Sequence, residues 1–211
     1  MSPRLKAKIC GITNLKDALS AVSSGADAVG FIFYKKSPRY ITAERAAFII
    51  SSLPKKVKAV GVFVNAKEEQ VKKAAKLCGL GILQFHGNES LEFCKKFKGY
   101  KIIKAFRVGR DFNFGLVNKY PVWGCLFDKL SGKYGGTGKV FNWELLKEKK
   151  FPGKKVFLSG GINAGNLTKA FKKVKPDWVD VSTSLEKSAG EKDRVKITKF
   201  MRQMKIINRN R

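Results

Sequence analysis

Short apolar stretches alternate with longer amphipathic stretches along almost the whole chain. The apolar stretches, such as residues 7–10 and 57–64, are rich in β-branched side chains and have the length of buried strands. The amphipathic stretches, such as residues 14–24 and 42–53, repeat apolar side chains at the spacing of a helix face. This alternation predicts a parallel sheet whose strands are joined by helices.

Eight strand and helix units follow one another. The predicted strands cover residues 7–10, 27–33, 57–64, 81–85, 101–106, 122–128, 155–159 and 178–182. The predicted helices cover residues 14–24, 42–53, 67–78, 89–97, 112–118, 142–146, 166–174 and 194–204, of which the fifth and sixth are short. Eight units in 211 residues predict a single-domain (β/α)8 TIM barrel over residues 1–211, with an open doubly wound sheet as the alternative.

The charge balance is strongly basic, with 44 Lys and Arg against 16 Asp and Glu and a formal net charge of +28. Nucleic-acid binding, steering of a small anionic substrate and a lysine-rich composition without a functional cause all explain such a surplus. The lysines are scattered over five of the predicted helices and the segments between them rather than gathered on one helix, which favours the last explanation. Because the sequence shows no helix-turn-helix, RNP or zinc pattern, we expect no specific nucleic-acid partner.

The few thiol and imidazole groups bear on metal binding and on location. Cys10, Cys78, Cys94 and Cys125 include no Cys-x-x-Cys pair, and His86 is the only histidine, so a structural zinc site is not expected. Widely spaced cysteines are typical of a reducing compartment. The N-terminus lacks the apolar core of a signal peptide, and no apolar run approaches the roughly 20 residues of a membrane span. We therefore expect a cytoplasmic protein without a membrane association.

Two side chains at predicted strand ends are able to move protons without a cofactor. The active sites of (β/α)8 barrels lie where the strands end. Cys10 ends the first strand and Asp128 ends the sixth, and a thiolate and a protonated carboxyl group are a suitable base and acid. The alternatives are that Cys10 is a small buried apolar side chain and that Asp128 caps a loop or forms a surface ion pair.

The loops after the seventh and eighth strands have the composition of a phosphate site. Gly160 and Gly161 allow backbone N–H groups to approach an anion, and Ser182 and Thr183 add hydroxyl donors. Barrels often bind phosphate with these two loops. Two ordinary tight turns are the alternative. The sequence therefore predicts a small phosphorylated substrate.

A glycine-rich stretch after Asp128 is a candidate lid over the site. Its spacing does not match a nucleotide-binding P-loop. The candidate lid residues are Tyr134, Gly135, Gly136, Thr137 and Gly138.

Alternation along the strands predicts a buried ion pair below the site, because residues two apart face the same side. Lys8 then lies below Cys10, and Asp180 lies below Ser182 on the neighbouring strand of a closed barrel. Neither charge is stable when buried alone, so we expect Lys8 and Asp180 to pair. We also expect Lys8 to favour the thiolate of Cys10.

Two further polar residues follow strands. Arg39 offers a guanidinium fork to a carboxylate or a phosphate. His86 shares a strand face with Gln84, and it either lines the site or is a hydrogen-bonded structural group beside Gly87.

A set of motifs resembles the phosphoribosylanthranilate isomerase family of tryptophan biosynthesis. The motifs occur in family order over nearly the whole chain: KICGIT at 8–13, GADAVGF at 25–31, SPRYI at 37–41, VGVFV at 60–64, QFHG at 84–87, YGGTG at 134–138, LSGGIN at 158–163 and VDVS at 179–182. The family usually has a glycine after the two hydroxyl residues that follow strand eight, where this chain has Ser184. If that position needs a positive φ, serine is strained there.

The resemblance implies an Amadori rearrangement with neither a metal nor another cofactor. It assigns Asp128 as the acid that opens the sugar ring, Cys10 as the base that removes the C2 proton, and Arg39 as the ligand of the anthranilate carboxylate. The resemblance also assigns binding of the substrate phosphate to the two loops that contain Gly160, Gly161, Ser182 and Thr183. Other phosphosugar barrels, such as an aminoaldose isomerase of histidine synthesis or a pentose-phosphate epimerase, use paired aspartates or a bound metal and fit less well. Either a monomer or a homodimer is compatible with the sequence.

Overall fold

Eight parallel barrel strands and seven α-helices occupy residues 4–130 and 142–210, the ranges that the computed structural model describes. The strands are β1 (Lys6–Cys10), β2 (Ala28–Ile32), β3 (Lys58–Phe63), β4 (Ile82–Phe85), β5 (Lys101–Val108), β6 (Gly124–Lys129), β7 (Lys155–Leu158) and β8 (Trp178–Val181). The helices are α1 (Leu15–Ser23), α2 (Ala43–Ser51), α3 (Glu68–Leu77), α4 (Leu91–Lys95), α5 (Gly115–Lys119), α6 (Leu167–Val174) and α7 (Arg194–Arg209). A hairpin of β9 (Glu186–Ser188) and β10 (Glu191–Lys192) lies between β8 and α7, and single 3-10 turns cover Trp143–Leu146 and Thr183–Leu185.

The strands close into a barrel in chain order because β8 pairs with β1, which places Lys8 opposite Asp180. The predicted (β/α)8 barrel is confirmed, and the open sheet is wrong. The last helix returns to the first strand. The Leu5 backbone N–H donates to Asn208 Oδ1 at 2.8 Å, and Asn208 Nδ2 donates to the Leu5 carbonyl at 3.0 Å.

Two apolar clusters make up the core. The larger one lies between the strands and the helices and includes Ile9 and Phe200. The smaller one consists of residues on alternate strand positions: Ala28, Val60, Ile82, Ile103, Ala105, Leu126, Phe157 and Trp178. By the same alternation, Asp128 and Asp180, two positions beyond Leu126 and Trp178, face the barrel interior nearer the ends of their strands. The apolar cluster is therefore the floor under a polar mouth.

Polar side chains cap the starts of the first two helices. α1 begins after Asn14, whose Oδ1 accepts from the backbone N–H of Asp17 at 2.9 Å. α2 begins after Thr42, whose Oγ1 accepts from the backbone N–H of Arg45 at 3.3 Å. Gly25, just beyond the end of α1, has a φ of +103°, which suits glycine. No helix in the described ranges has both the length and the apolar character that a membrane span requires.

The predicted boundaries were wrong at several short elements. Residues 142–146 form a 3-10 turn rather than an α-helix, because only Trp143 and Leu146, three positions apart, are buried there. The fifth helix begins at Gly115, and α7 continues to Arg209 because its buried face extends to Ile207. The β9–β10 hairpin was not predicted, since strands of two and three residues show no alternation.

A buried ion pair closes the seam between β1 and β8. Lys8 Nζ lies 2.8 Å from Asp180 Oδ1, and the two side chains are 0% and 6% exposed. Burial alone lowers the pKa of Lys8, but the negative charges on Asp180 and Cys10 outweigh burial and raise the pKa of Lys8. The predicted pair of Lys8 and Asp180 is therefore present, and its ammonium group is charged at neutral pH.

Replacement of Lys8 by methionine tests this seam. Lys8→Met leaves the Asp180 carboxylate buried without a partner, so we expect the free energy of unfolding to fall by about 3–5 kcal/mol. Urea denaturation at pH 7 measures the change. The control is Lys72→Met on α3, whose ion pair with Glu68 is exposed and whose loss should have a much smaller effect. Equal effects of the two substitutions would contradict a special role for the seam pair.

Candidate active site

The polar mouth of the barrel is a cleft between the loops that follow β7 and β8. Its empty volume is about 380 Å³. The lining residues are Asp128, Ser159, Gly160, Gly161, Ile162, Asp180, Val181, Ser182, Thr183 and Ser184. The candidate acid and both candidate phosphate loops therefore share one cavity, as the strand-end argument predicted.

Cys10 lies at the end of β1, beside this cleft, and is 5% exposed. It is opposite Gly30 of β2. A Cβ atom at Gly30 would lie 2.7 Å from Cys10 Sγ and 3.1 Å from Lys8 Nζ, so the thiol and the ammonium group fill the space that the glycine leaves. Gly30 is thus required for the position of the candidate base.

The electrostatics of Cys10 differ in part from the expectation. Burial raises the pKa of the Cys10 thiol, and the nearby positive charge of Lys8 lowers it only in part. Asp180 raises the pKa further, whereas Lys192 lowers it. Lys8 favours the thiolate as expected, but burial has the larger effect, so the pKa of the thiol is raised overall.

Asp128 is positioned by its own loop and by a histidine. Its Oδ1 accepts a hydrogen bond from the backbone N–H of Lys129 at 2.8 Å. Its Oδ2 lies 3.2 Å from His86 Nε2. Although this distance suits an ion pair, Nε2 makes no aligned hydrogen bond within the described residues. His86 therefore lies next to the candidate acid, and its contact with Gln84 is also compatible with the predicted structural role.

Gln84 sets the orientation of this histidine. Gln84 Nε2 lies 2.9 Å from His86 Nδ1. If the Gln84 amide nitrogen donates this bond, the neutral imidazole carries its proton on Nε2, which faces Asp128. The imidazole is then suited to stabilise a carboxylate at Asp128 without itself being charged.

Glycine geometry shapes the loop after β7. Gly160 and Gly161 have φ values of +78° and +72°. A Cβ atom at Gly160 would lie 2.8 Å from Asp128 Oδ1 and 3.0 Å from the backbone nitrogen of Lys129. The absence of a side chain thus permits the β7 loop to approach the candidate acid.

The loop after β8 is tied to the loop after β7 by a serine. Ser184 Oγ donates to the Ile162 carbonyl at 2.5 Å. Non-glycine residues with positive φ in the described ranges are Asn65, Glu148 and Lys175, so Ser184 does not carry the strain that its replacement of glycine suggested. The serine instead contributes a hydrogen bond between the two candidate phosphate loops.

Arg39 also contacts the loop after β8, and its side chain passes close to Gly11. Its Nε and Nη2 donate to Glu186 Oε1 and Oε2 at 2.7 and 2.6 Å, and Nη2 also lies 3.2 Å from Thr183 Oγ1. A Cβ atom at Gly11 would lie 2.7 Å from Arg39 Cδ and 3.0 Å from Ser182 Oγ. Arg39, which was predicted to bind a substrate carboxylate, therefore lies at the mouth. One edge of its guanidinium group already binds the carboxylate of Glu186.

Glu186 and Lys192 were missed by the sequence analysis. Lys192 Nζ donates to Glu186 Oε1 at 2.8 Å and lies 3.3 Å from Ser182 Oγ. The Glu186 and Lys192 side chains are 4% and 0% exposed. Together with Arg39 they form what we call the Arg39 network. The only sequence signal was the turn-like composition of residues 188–190, which does not show that the flanking charges are buried.

The candidate lid at Tyr134–Gly138 lies outside the described residues. All four cysteines are free. Within the ranges described, no group of three or more His, Cys, Asp or Glu side chains is arranged to hold a metal ion.

A closed barrel with a thiol, a carboxyl group and two glycine and hydroxyl loops at one end has the architecture of barrel enzymes that bind phosphate with the loops after strands seven and eight. A family model described as N-(5'-phosphoribosyl)anthranilate (PRA) isomerase matches residues 7–203. The chain belongs to this isomerase family.

Individual relatives agree over the whole barrel. An N-(5'-phosphoribosyl)anthranilate isomerase of Trichlorobacter lovleyi is 46% identical over 95% of this chain and 98% of its own. The crystal structure of phosphoribosyl anthranilate isomerase from Thermotoga maritima superposes with a TM-score of 0.90 at 42% identity, covering 95% of this chain and 98% of that one. A structure of such an isomerase in complex with reduced 1-(o-carboxyphenylamino)-1-deoxyribulose 5-phosphate has a TM-score of 0.84 at 39% identity, with the same coverages.

Substitution of Gly160 tests the close approach of the β7 loop. Gly160→Ala forces a Cβ atom against Asp128, so we expect kcat/KM for the isomerisation to fall by about 100-fold. The control is Gly153→Ala, because Gly153 has a similar φ of +71° but no atom within 4 Å of the added Cβ. Both variants should lose stability, whereas only the Gly160 variant should lose activity. Equal activities would show that the approach is not needed.

Proposed function

We propose that this chain converts N-(5-phosphoribosyl)anthranilate to 1-(2-carboxyphenylamino)-1-deoxyribulose 5-phosphate, the Amadori rearrangement of tryptophan biosynthesis. The observation that carries the proposal is that Asp128 lines the same cleft as the two candidate phosphate loops, with Cys10 at the end of β1, the strand next to β8. Family membership supports the same reaction. The residue roles are those that the resemblance to the family implies, and the arrangement of the cleft supports them.

Asp128 is the proposed general acid. Its protonated carboxyl group donates to the ring oxygen of the furanose, the C1–O bond breaks, and the amine lone pair forms an iminium ion at C1. The resulting carboxylate is stabilised by the Lys129 backbone N–H, which already donates to Oδ1 at 2.8 Å. His86 Nε2, at 3.2 Å from Oδ2, adds a second favourable interaction when the carboxylate is negative.

Cys10 is the proposed general base. The iminium ion makes the C2 hydrogen acidic, so a thiolate of moderate basicity is sufficient to remove that proton. The electron pair of the C2–H bond then forms the enolamine, which tautomerises to the C2 ketone as a proton is added at C1. Lys8, buried directly below the thiol, stabilises the thiolate by its charge. The reaction is internally balanced and needs no external oxidant or reductant.

Substrate binding uses the two loops and Arg39. The phosphate is assigned to the backbone of Gly160 and Gly161 and to the hydroxyl groups of Ser182 and Thr183, which line one cleft. The anthranilate carboxylate is assigned to Arg39. A cytoplasmic location, a monomeric or homodimeric state and the absence of a specific nucleic-acid partner stay predictions, which fractionation, sedimentation and a salt titration against DNA would measure.

Isosteric substitutions test the acid and the base. Cys10→Ser and Asp128→Asn keep the shapes of the side chains but remove the proton transfers, so we expect kcat to fall by about 100- to 10,000-fold in each. Loss of substrate fluorescence at neutral pH measures the rate. Cys78→Ser, at the end of α3, and Asp111→Asn, on an exposed loop, are matched controls that should keep activity. A near-normal kcat in Asp128→Asn would exclude the assigned acid.

The pH dependence tests the thiolate. Because burial raises the pKa of Cys10, the reactive thiolate is scarce at low pH and forms as the pH rises through that raised value. We expect kcat/KM to increase with pH along the limb that reflects Cys10, and alkylation of Cys10 by iodoacetamide to follow the same curve. Peptide mass spectrometry measures the alkylation. A midpoint below the ordinary thiol value of about 8.5 would contradict the raised pKa.

A further inference from the structure

The Arg39 network is a row of three buried charges behind the mouth of the barrel. Glu186 lies in the middle and binds two cations, Arg39 through both carboxylate oxygens and Lys192 through Oε1 at 2.8 Å. The Arg39 side chain is 11% exposed, and that of Lys192 is fully buried. Buried charges of this kind require good geometry, and the bidentate contact meets that requirement.

Glu186 determines which edge of the Arg39 guanidinium group remains for a ligand. Its carboxylate occupies Nε and Nη2, and Thr183 Oγ1 lies a further 3.2 Å from Nη2. Nη1 takes part in none of these three contacts. The aliphatic part of Arg39 packs against Gly11, directly after Cys10, so the group is held from both sides at the end of β1.

Lys192 keeps the charge balance of the network positive. A pair of Arg39 and Glu186 alone is neutral and attracts a substrate carboxylate weakly. When Lys192 is protonated the three groups carry a net charge of +1, since the Arg39 and Lys192 cations hold the pKa of Glu186 below its usual value against the effect of burial. Burial lowers the pKa of Lys192, and the negative charge of Glu186 opposes that effect. Lys192 also lies 3.3 Å from Ser182 Oγ, so the network reaches the candidate phosphate loop.

We propose that Glu186 is a positioning residue that fixes Arg39 for recognition of the aromatic carboxylate of the substrate, and that Lys192 holds Glu186 in place and keeps this subsite positive. The inference rests on the proposed function. It adds a determinant of specificity: the β9–β10 hairpin selects substrates whose amine substituent carries a carboxylate. Glu186 contacts Arg39 rather than the reacting atoms, so it is not a catalytic residue.

A pair of stable ligands isolates this effect. One probe is reduced 1-(o-carboxyphenylamino)-1-deoxyribulose 5-phosphate, and the other is the same compound without the ring carboxylate. Calorimetry gives a Kd for each, and their ratio measures recognition of the carboxylate alone. We expect the wild-type protein to bind the first probe about 10- to 100-fold more tightly, because a charge-assisted contact to arginine distinguishes them. Arg39→Ala should reduce the ratio to about 1.

Glu186→Gln should lower the ratio to within about threefold of the Arg39→Ala value, because the amide no longer holds both guanidinium nitrogens. Lys192→Met should lower it several-fold. The same hairpin supplies matched controls, since Glu191 and Lys187 form an exposed pair at 3.5 Å. Glu191→Gln and Lys187→Met make the same changes in charge and should keep the wild-type ratio.

The outcomes separate the two proposals. A wild-type ratio of the two Kd values in folded Glu186→Gln overturns the positioning role of Glu186. A wild-type ratio in Lys192→Met overturns the role that is proposed for Lys192. If Glu186→Gln fails to fold, Glu186→Asp replaces it, because Asp keeps the negative charge on a side chain that is one methylene group shorter. The proposal then requires an intermediate ratio of the two Kd values. Failure of the wild-type protein to isomerise N-(5-phosphoribosyl)anthranilate would instead reject the proposed function.

Discussion

The buried pair of Lys8 and Asp180 is the interaction on which the rest of the site depends. It joins the first and last strands of the barrel across the seam, at 2.8 Å and almost without exposure. It also places a positive charge directly below Cys10, which opposes part of the effect of burial on the pKa of the thiol. Closure of the barrel and activation of the proposed base therefore use the same ammonium group, and neither is separable from the other.

The charges inside the barrel mouth are paired and buried, whereas most charges on the surface are exposed to water. The formal net charge of +28 arises mainly from lysines in the helices and loops outside the barrel mouth, where water screens the exposed ones. Within the mouth, each buried carboxylate touches a cation: Asp180 touches Lys8, and Glu186 touches two basic groups. In a medium of low polarizability these few contacts govern proton affinity and ligand choice more strongly than the many surface charges.

The sequence was informative wherever local periodicity carries the information. Alternation along β1 and β8 was sufficient to predict that Lys8 and Asp180 meet, because a closed barrel allows one register for the seam. The Arg39 network was not predictable in this way. Arg39 and Glu186 are 147 positions apart, and their contact depends on a hairpin too short to show a pattern. The raised pKa of Cys10 was also missed, since burial depth is a property of packing rather than of neighbouring residues.

The hydrogen bonds between Leu5 and Asn208 have a consequence for how the protein is made. They bring the two ends of the chain together, across a separation of 203 positions. During synthesis the first strand leaves the ribosome long before its partners on β8 and α7 exist, so its seam edge stays unpaired until the chain is almost complete. The barrel mouth with the proposed active site, which draws on β1 and on the last hairpin, is thus among the last parts of the molecule to take shape.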